Sequence, residues 1–98
     1  MATYISNLKF TEQGTKALAQ TTKRAAAFKA TVKKMGGKLV NAYWTLGEYD
    51  GVLVFEAPDD ETATALMLQL SQAGNVKTNT IRAFAASEFD KILAMGGK

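Results

Sequence analysis

Apolar and polar positions recur along this chain with two periods, and the switches between them predict its elements. Thr3-Tyr4-Ile5-Ser6-Asn7-Leu8-Lys9-Phe10 is rich in β-formers and reads as a strand. Residues 11–20 read as a short helical turn or ordered loop, since Thr11 can cap a turn while Gly14 weakens a helix. Ala25, Phe28, Val32 and Met35 follow at three- and four-residue steps, which predicts a helix over 22–35 capped by Thr21 or Thr22 and closed by Gly36-Gly37. Leu39, Val40, Tyr43, Trp44 and Leu46 return to strand spacing over 38–46. After the turn Gly47-Glu48-Tyr49-Asp50-Gly51, a strand over 51–57 completes a hairpin and stops at Pro58. Asp59 or Asp60 caps a helix over 60–73 with Ala63, Leu66, Met67 and Leu70 as its apolar stripe, and Gly74-Asn75 ends it. A strand over 76–85 follows. Ser87 and Asp90 resemble a capping box for a last short helix with Phe89, Ile92 and Leu93 apolar, and 96–98 should fray.

The order β-α-β-β-α-β predicts an α+β, ferredoxin-like domain over 1–98: a four-stranded antiparallel sheet, both long helices on one face, and an extra C-terminal short helix. The third strand departs from the alternation of a half-exposed strand. Val52 and Val54 point one way, Leu53 and Phe55 the other, and both pairs are apolar. Strand two reads as Val40, Ala42, Trp44 and Leu46 on one side, Leu39 and Tyr43 on the other. Helices can cover one face only. A bare apolar sheet is unusual in a soluble monomer, so we expect a homodimer or higher symmetric oligomer. The competing expectation is that 87–95 folds over the open face and leaves the chain monomeric.

Composition narrows the chemistry. With no cysteine and no histidine among 98 residues, disulfides, thiolate or imidazole metal sites and every histidine-dependent catalytic arrangement are excluded. No metal site and no cofactor are expected. The net charge of +3 is only mildly basic, and apolar runs such as Val52-Leu53-Val54-Phe55 are far too short to span a membrane. The absence of a signal-like start points to the cytoplasm. Nucleic acid is not the expected partner, although RNA-recognition modules share this element order. Their stacking aromatics are replaced by aliphatics in Asp50-Gly51-Val52-Leu53-Val54-Phe55, and the lysines gather on the first helix.

The run Gly47-Glu48-Tyr49-Asp50-Gly51-Val52-Leu53-Val54-Phe55-Glu56-Ala57-Pro58-Asp59-Asp60 resembles the signature of the GYD-domain family. Tyr4-Ile5, Lys23-Arg24, Gly36-Gly37-Lys38, Gly74-Asn75-Val76-Lys77-Thr78 and Ile81-Arg82-Ala83-Phe84 fit the same family. The resemblance implies a mostly prokaryotic group similar in fold to the dimeric α+β barrel proteins. Those include ligand-binding domains, antibiotic-biosynthesis-type monooxygenases and effector domains of Lrp/AsnC-type regulators. It supplies no catalytic residues.

Two readings compete at each candidate site. In the turn, Gly47, Tyr49 and Asp50 are explained by turn chemistry, with Gly47 and Gly51 free to take positive φ and Asp50 bonding the backbone. Alternatively, Glu48 and Asp50 beside a phenol suit a cation or a proton transfer. On the sheet, Asn41 and Tyr43 share one face and Thr78, Thr80, Arg82 and Phe84 share one. On the open face they would form a cleft where Arg82 anchors a carboxylate. The plainer alternative is an Arg82 salt bridge. Trp44 reads as core, or as part of a ligand set with Asn41, Tyr43 and Arg82. The favoured function is a non-enzymatic, homo-oligomeric domain that takes a small metabolite at a subunit interface or sheet cleft. The alternative is a small cofactor-free enzyme of the monooxygenase or isomerase type, drawing on Asn7, Asn41, Tyr43, Trp44 and Arg82.

Overall fold

The computed structural model describes residues 1–97, and Lys98, part of the segment expected to fray, lies outside the described residues. Its elements run β1 (Ala2–Phe10), α1 (Glu12–Lys16), a 3-10 turn (Leu18–Gln20), α2 (Thr21–Lys34), β2 (Lys38–Trp44), β3 (Gly51–Ala57), α3 (Asp60–Gln72), β4 (Val76–Ala83) and α4 (Ala86–Ile92). The sheet is four-stranded and antiparallel in the order β2-β3-β1-β4, the expected α+β arrangement. The chain enters α1 through Thr11, whose hydroxyl accepts the Gly14 amide. It enters α3 through Asp59, whose carboxylate accepts the Thr62 amide at 2.7 Å and is held below the usual carboxylate range by the Thr62 side chain first and by that amide second.

The core lies between the helices and one face of the sheet. Phe28 and Val32 from α2 and Ala63, Leu66 and Met67 from α3 pack on Tyr4, Leu53, Phe55 and Ala57. Phe55, Leu66 and Val32 are fully buried. Tyr4 stacks on Phe55 with ring centroids 5.4 Å apart, and Phe28 meets Phe55 edge-on. Buried Ser6 accepts a hydrogen bond from the Thr80 hydroxyl at 2.8 Å, so this polar core position is satisfied.

Three expectations need correction. A register shift between Leu39 and Asn41 bulges β2, so Leu39, Ala42 and Trp44 face the helices while Asn41 and Tyr43 face away. Strict alternation puts Leu39 with Tyr43; one extra residue breaks the period. The last helix is capped at Ala85, not Ser87, and the Glu88 carboxylate accepts the Ala85 amide. Finally, α4 does not close over the open face, where Tyr43 and Ile81 remain 54% and 52% exposed.

Candidate functional site

The β2–β3 turn is tied to the end of β1 through backbone groups. The Asp50 amide donates to the Leu8 carbonyl at 2.8 Å, and the Asp50 carboxylate accepts the Phe10 amide at 2.8 Å. The Thr45 amide donates to the Asp50 carbonyl, and the Thr45 hydroxyl to the Tyr49 carbonyl. Tyr49 reaches across the sheet, where its hydroxyl oxygen accepts from the Asn79 side chain at 3.3 Å. Gly47 adopts φ 133°, which only glycine takes without strain. Gly51 does not have positive φ, and a Cβ there would sit 3.0 Å from the Tyr43 carbonyl oxygen, a tight approach.

Behind this turn, between sheet and helices, lies a cavity of about 260 Å³. Leu8, Phe28, Leu53 and Leu70 supply apolar wall, and Arg24, Trp44 and Asp50 are among the residues with polar groups that border it. Trp44 closes one side by donating its indole N–H to the Thr21 hydroxyl at 3.0 Å. Arg24 donates through Nη1 to the Ala17 carbonyl at 2.8 Å. Its Nη2 is shielded from solvent and has no hydrogen-bond partner.

A second, shallower recess lies against β4 and the start of α3, lined by Tyr4, Asp60, Met67 and Arg82. Tyr4 donates its phenol hydrogen to Asp60. Burial first, then that bond and the Asp60 charge, push the Tyr4 phenol up to about 12. The Arg82 guanidinium lies 4.3 Å from the Phe84 ring centroid and pairs with Glu88 at 3.2 Å. The Ala85 amide first, and Arg82 second, hold Glu88 below the usual carboxylate range.

The four residues expected to form one ligand set are therefore not brought together. Asn41 and Tyr43 point to the open face, although Tyr43 also borders the inter-layer cavity. Trp44 is on the helix side of edge strand β2. Arg82 is on the helix side of the opposite edge strand β4, because it pairs with buried Tyr4. Sequence reasoning passed over Arg24. Its signal was available: it is a cation in the first turn of a helix, where the dipole disfavours positive charge. Among the described residues, no group of three or more acidic, histidine or cysteine side chains is arranged to hold a metal ion. Nor is any described helix long and apolar enough to cross a membrane.

The topology and the two-layer core define a ferredoxin-like α+β domain with one side of its sheet uncovered. The GYD domain model matches residues 4–93, and the chain belongs to the GYD-domain family. It is 33% identical over 89 residues to a Thermus thermophilus protein named glutamine synthetase and cystathionine beta-lyase binding protein, an alignment spanning 90% of this chain and 94% of that one. Its fold is similar to the crystal structure of TTHA0845, also from Thermus thermophilus, with a TM-score of 0.57 at 20% identity over 88% of this chain and 96% of that chain.

Proposed function

We propose that this chain is a non-catalytic binding module of the cytoplasm that self-associates through the open face of its sheet and, once assembled, docks on enzymes of amino-acid metabolism. The observation that carries the reading is the row Val54–Ile5–Ile81, in register across β3, β1 and β4 on the side no helix covers. Val52 and Tyr43 extend the row toward the hairpin. Covering such side chains contributes roughly 1.5–3 kcal/mol each, and a second copy of the same face is the simplest cover. Lys38 and Glu56, directly opposite each other at one end, give that face charges of both signs. Asn41 and Asn79 would then be polar groups at the margin of the contact, where a crevice between subunits could hold a small metabolite. Docking on enzymes rests on the Thermus relative, whose name states that it binds glutamine synthetase and cystathionine beta-lyase.

Light scattering on the purified chain tests self-association, and calorimetric titration with glutamine synthetase tests docking. The expected results are a species of at least twice 10.5 kDa, reduced to the protomer by Val54→Asp, and saturable binding to the enzyme. A monodisperse protomer at micromolar concentration overturns the first part. Absence of enzyme binding by an intact oligomer overturns the second.

A further inference from the structure

We propose that the cavity between the sheet and the helices binds a small, uncharged, largely apolar molecule about the size of a substituted benzene ring. This site lies on the opposite side of the sheet from the self-association surface and does not depend on it.

The space follows from how the two layers meet. α2 and α3 make little direct contact with each other, so the helix layer is parted over the sheet. Ala25 of α2 and Ala42 of β2 line the gap, where longer apolar side chains would reach into it. An apolar void costs stability in proportion to its volume, because its lining loses contacts it would otherwise make. A volume of about 260 Å³ is large for a domain of 98 residues. Water relieves that cost poorly, since each molecule needs two to four polar partners and much of the wall has none. An apolar guest restores the missing contacts. It also has a way in: Trp44 lines the cavity and is 48% exposed, so the space reaches the surface at the β2 edge.

The walls specify the guest. Phe10, Phe28 and Trp44 all border the space, and a flat ring packs well on aromatic faces and edges. An apolar cavity of about 150 Å³ already takes benzene, so this one has room for a ring carrying a short chain. Neither ionised side chain on the wall is free for a charged guest. Arg24 spends Nη1 on the Ala17 carbonyl, and its Nη2 is sealed from solvent. The Asp50 carboxylate is engaged by the Phe10 amide. Taking an ion out of water into an apolar space without a counter-ion to receive it is strongly unfavourable. With one charge of each sign on the wall, neither an anion nor a cation is favoured over a neutral molecule.

Trp44 provides the reporter, being the only tryptophan in the chain. Its fluorescence would be followed during titration with three probes that share one skeleton and differ in charge: 3-phenylpropan-1-ol, 3-phenylpropionate and 3-phenylpropylammonium, with calorimetry alongside. The alcohol is expected to bind saturably, about tenfold or more tightly than either ion. Ala25→Leu and Ala42→Leu, which fill the space from the helix and from the sheet, should each weaken the alcohol about tenfold. Saturating alcohol should raise the Tm of the wild type and leave that of these variants unmoved. If one variant does not fold, the other decides together with the wild-type ranking. No saturable binding of the alcohol, an ion that binds as tightly as the alcohol, or wild-type affinity in the filled variants overturns the proposal.

Discussion

The Asp50 carboxylate accepts the Phe10 amide hydrogen at 2.8 Å, joining the tip of the β2–β3 hairpin to the last residue of β1. The bond spans forty positions of sequence and fastens the turn over the end of the central strand. Replacing Asp50 by Ala leaves a part-buried amide without its acceptor, and the expected cost is roughly 1–3 kcal/mol. Thermal unfolding of Asp50→Ala should show a lower Tm. Asp50→Asn, which keeps an acceptor oxygen, should recover much of the loss. An unchanged Tm in Asp50→Ala would remove this structural role.

Gly14 lies against the α3–β4 connection, where an added Cβ would fall 2.0 Å from the Asn75 carbonyl oxygen. The same connection receives the Thr11 amide on the Asn75 carbonyl at 3.0 Å. Gly14→Ala must push α1 off this seat. The expected cost is roughly 1–3 kcal/mol even though alanine favours helix. Chemical denaturation of this variant against wild type measures it; a gain in stability would contradict the packing.

Phe55 is fully buried at the centre of the aromatic stack with Tyr4 and Phe28. Phe55→Ala is expected to cost roughly 3–5 kcal/mol, a loss large enough to threaten a domain of this size. Phe55→Leu should cost markedly less, because it leaves a smaller void. Urea midpoints of the two variants give the comparison.

Tyr4 sets an alkaline limit. Its phenol ionises at about 12 in the folded chain against an ordinary value of 10.0. Below pH 10 the group is neutral in both states and its contribution is fully present. Between pH 10 and about 12 the unfolded chain ionises first, so stability falls as pH rises through that window. Tyrosinate absorbance should show a late-titrating step that belongs to Tyr4. Tyr4→Phe should flatten this part of the stability profile, whereas a late step surviving in Tyr4→Phe would assign it elsewhere.

Self-association should respond to the open face and not to the core. Ile81→Lys places a charge in the Val54–Ile5–Ile81 row, at a site half exposed in the protomer. Sedimentation should show a smaller species with native secondary structure, and an unchanged mass would move the contact to another surface.

Local pattern determined most of the architecture. Ala25, Phe28, Val32 and Met35 mark one side of α2 because helical period is a property of the backbone, and the two-faced apolar β3 was equally plain. The extra residue between Leu39 and Asn41 was not legible, because a bulge is chosen by the partner strand and leaves no compositional mark. It decided which way Trp44 points. Gly14 looked only like a weak helix residue until Asn75, 61 positions later, arrived against it. The cavity has the same origin. Arg24, Trp44 and Asp50 come from α2, β2 and the hairpin turn, and no spacing along the chain could announce that they share a wall. Periodicity reports which side of an element is buried; which distant groups meet there is set by crossings and registers that exist only once the chain has folded.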